Sequence, residues 1–411
     1  MERMACGIYL HIPFCGRRCP YCDFNTYTGM ESLIPDYMQA VRAELQLHAA
    51  QEPNPAGEPL RSIYFGGGTP SLLPPNEVGR TLESIHKLYG IDDQTEISFE
   101  VNPGTVDGAR LSAYRKLGIT RLSLGSQSFR DEQLAVLGRD HSVAQTRETI
   151  EQALKCDFRS LSVDLMYGVT GQQLCHWRAD LEQALSCGAE HLSLYNLTIE
   201  EGTPYARLRA EGKLPLPNEG LLRDMYISAL EETSARGFER YEVSNFARTD
   251  HSCRHNRLYW EGRGWLGLGA GAHGFTAKGG AAGLGRRWWN LRLPRKYMSA
   301  VKTGHLPWAG SEDLDLRAAI DEELLLSLRT RRGLRRERFA ERFGFDPAVL
   351  LKNSLKELSE EALIQVDSQA IRVSEDSVII TDYAVQRVAS LFDRRSVWAI
   401  VSQHAEPRRA G

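Results

Sequence analysis

The sequence predicts an α/β protein: a partial (β/α)6 TIM-like barrel followed by a winged-helix-like α+β domain. Three observations predict it. The first two thirds of the 411-residue chain alternate strand-like and helix-like segments, which implies a parallel sheet with helices outside it. Each strand candidate has one apolar and one polar face, whereas a fully sandwiched open sheet is apolar on both. From Asp313 the pattern changes to helices and then two short strand-like runs.

In chain order the strand candidates are residues 7–12, 61–65, 96–101, 121–127, 160–167 and 191–197. Helical periodicity of about 3.6 marks 34–48, 76–88, 144–156 and 173–186. Ile97 and Phe99 alternate with Ser98 and Glu100, and Leu122 and Leu124 with Ser123 and Gly125. Val163 and Leu165 alternate with Ser162 and Asp164, and Leu192 and Leu194 with Ser193 and Tyr195. The apolar residues are expected to face the helices and the polar ones a lumen. Six units leave the barrel incomplete, with room for a large substrate, and the C-terminal edge of the strands is the active end.

The segment 262–307 is rich in glycine and aromatics and reads as irregular. A helix at 316–327, a basic helical stretch and a helix at 346–360 follow. Strand-like runs at 363–366 and 371–373 precede a last helix near 383–390. The expected organisation is a barrel with an N-terminal cluster loop (1–245), an irregular segment (246–310), the C-terminal domain (311–392) and a tail (393–411).

Hydrophobic residues make up 42% and charged residues 25%, ordinary for a soluble globular protein. The formal net charge of −3 gives no sign of nucleic-acid binding. Eight cysteines in so long a chain are not a disulfide scaffold. Neither a signal-type apolar region nor a membrane-length apolar run is visible, so a reducing cytoplasm is expected.

Cys15, Cys19 and Cys22 form a C-x3-C-x2-C triplet just after the first strand. A [4Fe–4S] cluster normally takes four thiolates, so three leave one iron open for another ligand. A structural zinc site wants a second cysteine or histidine pair, and none follows. Gly66-Gly67-Gly68-Thr69-Pro70 follows the second strand. Its glycines allow a ligand close to the backbone. A phosphate-binding P-loop would need Lys-Ser/Thr after them, and Pro70-Ser71-Leu72 fails that test. Glu100, Gln127 and Asp164 fall on the polar face. The bland alternative for each acid is a buried structural salt bridge.

These motifs resemble the radical S-adenosylmethionine (SAM) superfamily, in its coproporphyrinogen dehydrogenase-like branch, and within that its heme-chaperone members. The resemblance also rests on Phe99-Glu100-Val101-Asn102-Pro103, Leu122-Ser123-Leu124-Gly125-Ser126-Gln127, Val163-Asp164-Leu165-Met166-Tyr167-Gly168 and His255-Asn256-Arg257-Leu258-Tyr259-Trp260. It implies that Cys15, Cys19 and Cys22 ligate a [4Fe–4S] cluster. Gly67, Gly68 and Thr69 would hold the methionine end of SAM, with Tyr9, Glu100, Gln127, Arg139 and Asp164 contacting the rest. It further implies heme as cargo, handed to respiratory heme proteins at the inner face of the membrane, and a homodimer. His255, Tyr259 and Trp260 match a heme-handling motif. His251, Cys253 and His273 are the alternative iron ligands.

Two departures matter. In the branch's oxygen-independent coproporphyrinogen oxidases the cluster motif runs on to a fourth cysteine, and here that place is Phe24. Thr170 stands where the family often has proline. The competing function is a radical enzyme acting on a porphyrinogen propionate or on heme itself. The arginine-rich run from Arg329 to Arg338 suggests phosphate contact, or a docking surface for an acidic membrane surface or for porphyrin propionates. The interspersed Glu337 and Glu341 favour a solvated helix face, and no nucleic-acid partner is expected.

Overall fold

The computed structural model describes residues 6–51, 59–277, 279–280, 283–393, 397–398 and 401. Strands β1 (Gly7–Ile12), β2 (Ser62–Gly67), β3 (Glu96–Val101), β4 (Arg121–Gln127), β5 (Ser160–Tyr167) and β6 (His191–Asn196) pair in parallel in sequence order. Helices α1 (Ile34–Gln51), α2 (Pro75–Tyr89), α3 (Gly108–Lys116), α4 (Asp131–Val136), α5 (Val143–Lys155) and α6 (Leu174–Ser186) lie in the connections. The six-unit partial barrel is therefore present. Local signals set its helix ends. Ser142 and Gln145 form a reciprocal capping box on α5, and Asp107 caps α3 by accepting from Arg110 N.

The two strand faces behave as the alternation requires. Ile97, Phe99, Leu122, Leu124, Val163, Leu165, Leu192 and Leu194 are buried in the main core against the helices. Glu100, Ser123, Gln127, Ser162, Asp164 and Ser193 line a lumen.

After α7 (Pro204–Ala210) and α8 (Glu219–Ala235), the short strands β7 (Glu239–Arg240) and β8 (Asn245–Ala247) close one edge, β8 antiparallel to β6 and β7 antiparallel to β8. Helix α9 (Arg254–Trp260) follows. The stretch expected to be irregular instead carries β9 (Trp265–Leu268), β10 (His273–Thr276), β11 (Arg286–Asn290) and α10 (Pro294–Lys302). β9 pairs in parallel with β1, and β10, β11 and β12 (Trp308–Asp313) continue the same sheet. The glycines misled because they serve close packing here. A Cβ on Gly267 would lie 2.0 Å from the His273 carbonyl oxygen, and one on Gly274 would lie 2.2 Å from the Trp288 ring.

The C-terminal domain comprises α11 (Leu316–Leu328), β13 (Leu334–Arg335), α12 (Arg336–Phe343), α13 (Pro347–Leu350), α14 (Lys352–Glu360), β14 (Ile364–Val366), β15 (Ala370–Val373) and α15 (Thr381–Phe392). Helices around a three-stranded antiparallel sheet, with its own core, match the winged-helix-like expectation. The basic stretch is less helical than expected. Gly333, with φ of +67°, turns the chain into β13, and the helix begins only at Arg336. Most of the predicted 393–411 tail lies outside the described residues.

Candidate functional site

The site is built at the C-terminal ends of the parallel strands. Beyond β1 the chain loops out and returns. Cys15 N donates to Tyr27 O at 3.0 Å and Tyr27 N to Pro13 O at 2.7 Å. Phe14 is fully buried, edge-on to Tyr37 at 5.1 Å. This anchor turns Cys15, Cys19 and Cys22 towards the lumen mouth, where all three line one cavity of about 540 Å³.

The cysteine surroundings suit a metal cluster. Thr69 Oγ1 donates to Cys15 Sγ at 3.5 Å, and Arg139 Nη1 to Cys19 Sγ at 3.6 Å. Burial pushes the Cys15 thiol up, and Cys22 and Cys19 push it further, against Thr69 and Arg139. Burial likewise raises Cys22. The three thiols thus feel one another. Among the described residues no three His, Cys, Asp or Glu side chains converge on a single ion. A cluster does not ask for that, since each thiolate takes its own iron. Gly68 completes the cradle: a Cβ there would lie 2.7 Å from Phe14 O and 2.9 Å from Cys15 Sγ.

Deeper in, two carboxylates are held in place. Glu100 accepts from Tyr64 Oη at 2.9 Å and from Gly67 N at 3.1 Å. Burial, with help from Asp164, pushes its pKa up to about 7. Asp164 accepts from Ser123 Oγ at 3.0 Å and from Ser162 Oγ at 3.2 Å. Burial raises it too, and the serine hydroxyls oppose the rise. Arg139 also donates to Asn102 Oδ1 at 2.7 Å and to Gly125 O at 3.1 Å. Gln127 sits at a register irregularity of β4 with φ of +65°, a strained conformation for a residue with a Cβ. Tyr9 Oη hydrogen-bonds His11 Nδ1 at 3.1 Å.

Cys15, Cys19, Cys22, Tyr9, Gly67, Gly68, Thr69, Glu100, Gln127, Arg139 and Asp164 therefore share one cavity. The N–H groups of Gly67 and Gly68 are already taken, by Glu100 and by Ile12 O. Sequence reasoning missed Asn102, which donates to Thr69 Oγ1 at 3.0 Å and links it to Arg139. It also missed Arg121, although Arg121 shares the strand face of Ser123, Gly125 and Gln127 and lines the lumen.

Of the three residues of the heme-handling motif, His255 and Tyr259 line the inner part of this same cavity, and Trp260 does not. His255 sits at the opposite end of the barrel, beside the first residues of β1, β2 and β3. A Cβ on Gly7 would meet its ring, Ser62 Oγ bonds its Nδ1 at 2.8 Å, and its own N donates to Glu96. Its Nε2 is bonded to Tyr259 Oη at 2.8 Å, so neither ring nitrogen is free for iron. Burial lowers its pKa to about 3, and it stacks on Tyr64 at 5.3 Å. Trp260 faces a different cavity on the outer side of α9. Of the alternatives, Cys253 is buried, with its thiol pushed up to about 12. His273 is exposed and stacks on Trp289 at 6.2 Å.

The model of the radical SAM superfamily matches residues 9–184, and that of the HemN C-terminal domain residues 314–376. The heme chaperone HemW of Bacillus subtilis is 32% identical over 374 residues, 90% of this chain and 96% of the relative. That of Mycobacterium tuberculosis is 38% identical over 331 residues, 80% of this chain and 82% of the relative. The solved coproporphyrinogen III oxidase HemN of Escherichia coli superposes with a TM-score of 0.78 at 21% identity, over 94% of this chain and 90% of that one, which shows a shared fold. With identities above 30% along most of its length, the chain belongs to the radical SAM superfamily, as a HemN-like protein of the HemW family.

Proposed function

We propose that the chain is a heme chaperone: it binds heme and passes it intact to heme proteins, respiratory ones at the membrane face among them. Phe24 carries this reading. It stands where the related oxidases continue to a fourth cysteine, and it is 62% exposed on the cavity lining. An apolar ring there offers packing surface to a porphyrin and no ligand to iron. The description of the HemW relatives as heme chaperones supports the same reading. No helix among the described residues is long and apolar enough to cross a membrane, so a meeting with membrane acceptors would be peripheral. A homodimer belongs to the same reading.

Cys15, Cys19 and Cys22 would hold a [4Fe–4S] cluster. Gly67, Gly68 and Thr69 would face the methionine end of SAM, and Tyr9, Glu100, Gln127, Arg139 and Asp164 its other groups. Cluster and SAM together supply one-electron radical chemistry. The chain's own residues prepare the lumen. Arg139 sets a cation against the Cys19 sulfur, Ser123 and Ser162 orient Asp164, and Tyr64 orients Glu100. One observation favours a radical enzyme acting on a porphyrinogen instead: Glu100 and Asp164 are held in place as groups for SAM, and a simple carrier has no need of a radical generator.

Heme contact at His255 requires its Nε2 to give up the Tyr259 hydroxyl. An anaerobic heme titration of cluster-loaded protein tests this. The wild type should give a saturable Soret shift. Tyr259→Phe frees Nε2 and should tighten binding, and His255→Ala should weaken it. Equal titrations in all three move heme away from α9. No binding in any of them sinks the chaperone reading.

A further inference from the structure

We propose that a groove between the barrel and the C-terminal domain docks an acidic, Asp/Glu-rich segment of a partner protein. The groove is a cavity of about 1140 Å³ running past β7, the outer face of α9 and the turn before β13. Among the described residues, eleven arginines and six carboxylates line it, without a lysine. That is a surplus of five positive charges among the lining residues, two of them offset by Glu375 and Asp367 just outside it, on a chain whose formal net charge is −3. A cleft of one sign between low-dielectric walls focuses its field and steers the opposite charge.

Arg331 is paired with Glu239, and Arg240 and Arg372 with Glu375 and Asp367 just beyond the lining, whereas other cations of the groove share a carboxylate or lack one. Glu261 serves both Arg257, at 2.8 Å, and Arg332, at 3.3 Å. Glu323 serves both Arg338, at 3.6 Å, and Arg342, at 2.6 Å. Arg159 on the barrel wall and Arg335 on the facing wall are exposed, with no carboxylate at ion-pair distance among the described residues. The run from Arg329 to Arg338 read in sequence as a solvated helix face. Folding brings Arg159, Arg248 and Arg254, distant in sequence, to meet it.

The walls are stitched in place. Arg331 N donates to Tyr241 O at 3.1 Å, and Glu242 bridges antiparallel to Thr330. A preorganised row of guanidinium forks suits carboxylates, which they bind in pairs of parallel hydrogen bonds. A flat bilayer cannot enter a concave groove. A nucleic-acid strand asks for several aromatic platforms for its bases, and among the described residues Tyr241 and Trp260 are the aromatics that line this one. The inference does not depend on what the lumen holds.

The test is fluorescence anisotropy with the full chain and a labelled glutamate-rich peptide of about twelve residues. Arg332→Glu with Arg335→Glu should weaken binding about tenfold or more, and added salt should weaken it as well. A control pair on exposed arginines elsewhere, Arg80→Glu with Arg178→Glu, should leave it unchanged. Thermal midpoints check folding, and Arg159→Glu alone reads the opposite wall should the double variant not fold. No peptide binding, equal losses in groove and control variants, or a preference for phosphatidylglycerol vesicles or single-stranded RNA as competitors would each overturn the proposal.

Discussion

Cys19 Sγ takes a hydrogen bond from a cation, Arg139 Nη1, at 3.6 Å. Replacing Cys19 with alanine removes one of three ligands and leaves Arg139 its bonds to Asn102 and Gly125. Cys19→Ala should therefore fold normally but fail to hold iron. Reconstituted wild type is expected to carry about four irons per chain. Iron analysis of the variant should read close to zero, and full iron content would refute the ligand assignment. His48 makes a separate prediction at this scale. It is buried between Trp288 and Trp308, with Nε2 lacking a hydrogen-bond partner among the described residues. Its pKa is lowered to about 4 by burial, while that of Glu44, 3.9 Å away, is raised by burial to about 7. Near pH 5 to 6 the two are thus neutral neighbours. Unfolded histidine takes a proton below about 6.5 and folded His48 only below about 4, so stability is lost as pH falls through that window. Glu44 acts in the opposite direction, because the folded chain binds its proton first between about 7 and 4.5. His48→Met should reduce the loss of urea resistance between about pH 7.5 and about pH 5. An unchanged difference would contradict the assignment.

At the level of elements, the exit of β2 does most to shape the site. Gly67 has φ of +114°, and a Cβ there would lie 2.6 Å from the His11 ring. Gly68 has ordinary φ but no space, pressed against Phe14 O, Ile12 O and Cys15 Sγ. Gly68→Ala must push the cysteine loop away. It should cut iron loading steeply while far-UV circular dichroism stays native, and full loading would show that the loop has slack. This element was legible in sequence because glycines at a strand exit have one main use. The six strands were legible too, since two-residue alternation survives wherever one face is wet and the other packed. β9, β10 and β11 were not, because Gly267 and Gly274 look like turn residues until the chains they pack against are known. The role of α9 was also hidden. His255 and Tyr259 face inward and Trp260 outward, and the motif alone does not say which wall it builds.

The whole molecule is a half-open tube with chemistry at one end and a plug at the other. The cysteine loop and the glycine exit of β2 crowd the mouth, Glu100 and Asp164 hold the middle, and His255 with Tyr259 seals the floor. The C-terminal domain, with its separate core, docks alongside and makes an arginine-lined groove against the outer face of α9. The order of strands around the tube could be read from the repeated units. The groove could not, because its arginines come from segments far apart in the chain and meet only on folding. As proposed, this tube carries heme without consuming it. The most direct measurement is anaerobic incubation of cluster-loaded protein with heme, SAM and a reductant, followed by addition of an apo heme protein. The heme should be recovered with its macrocycle intact and transferred to the acceptor. Loss of the Soret band with a modified porphyrin product, or no heme bound at all, would contradict it.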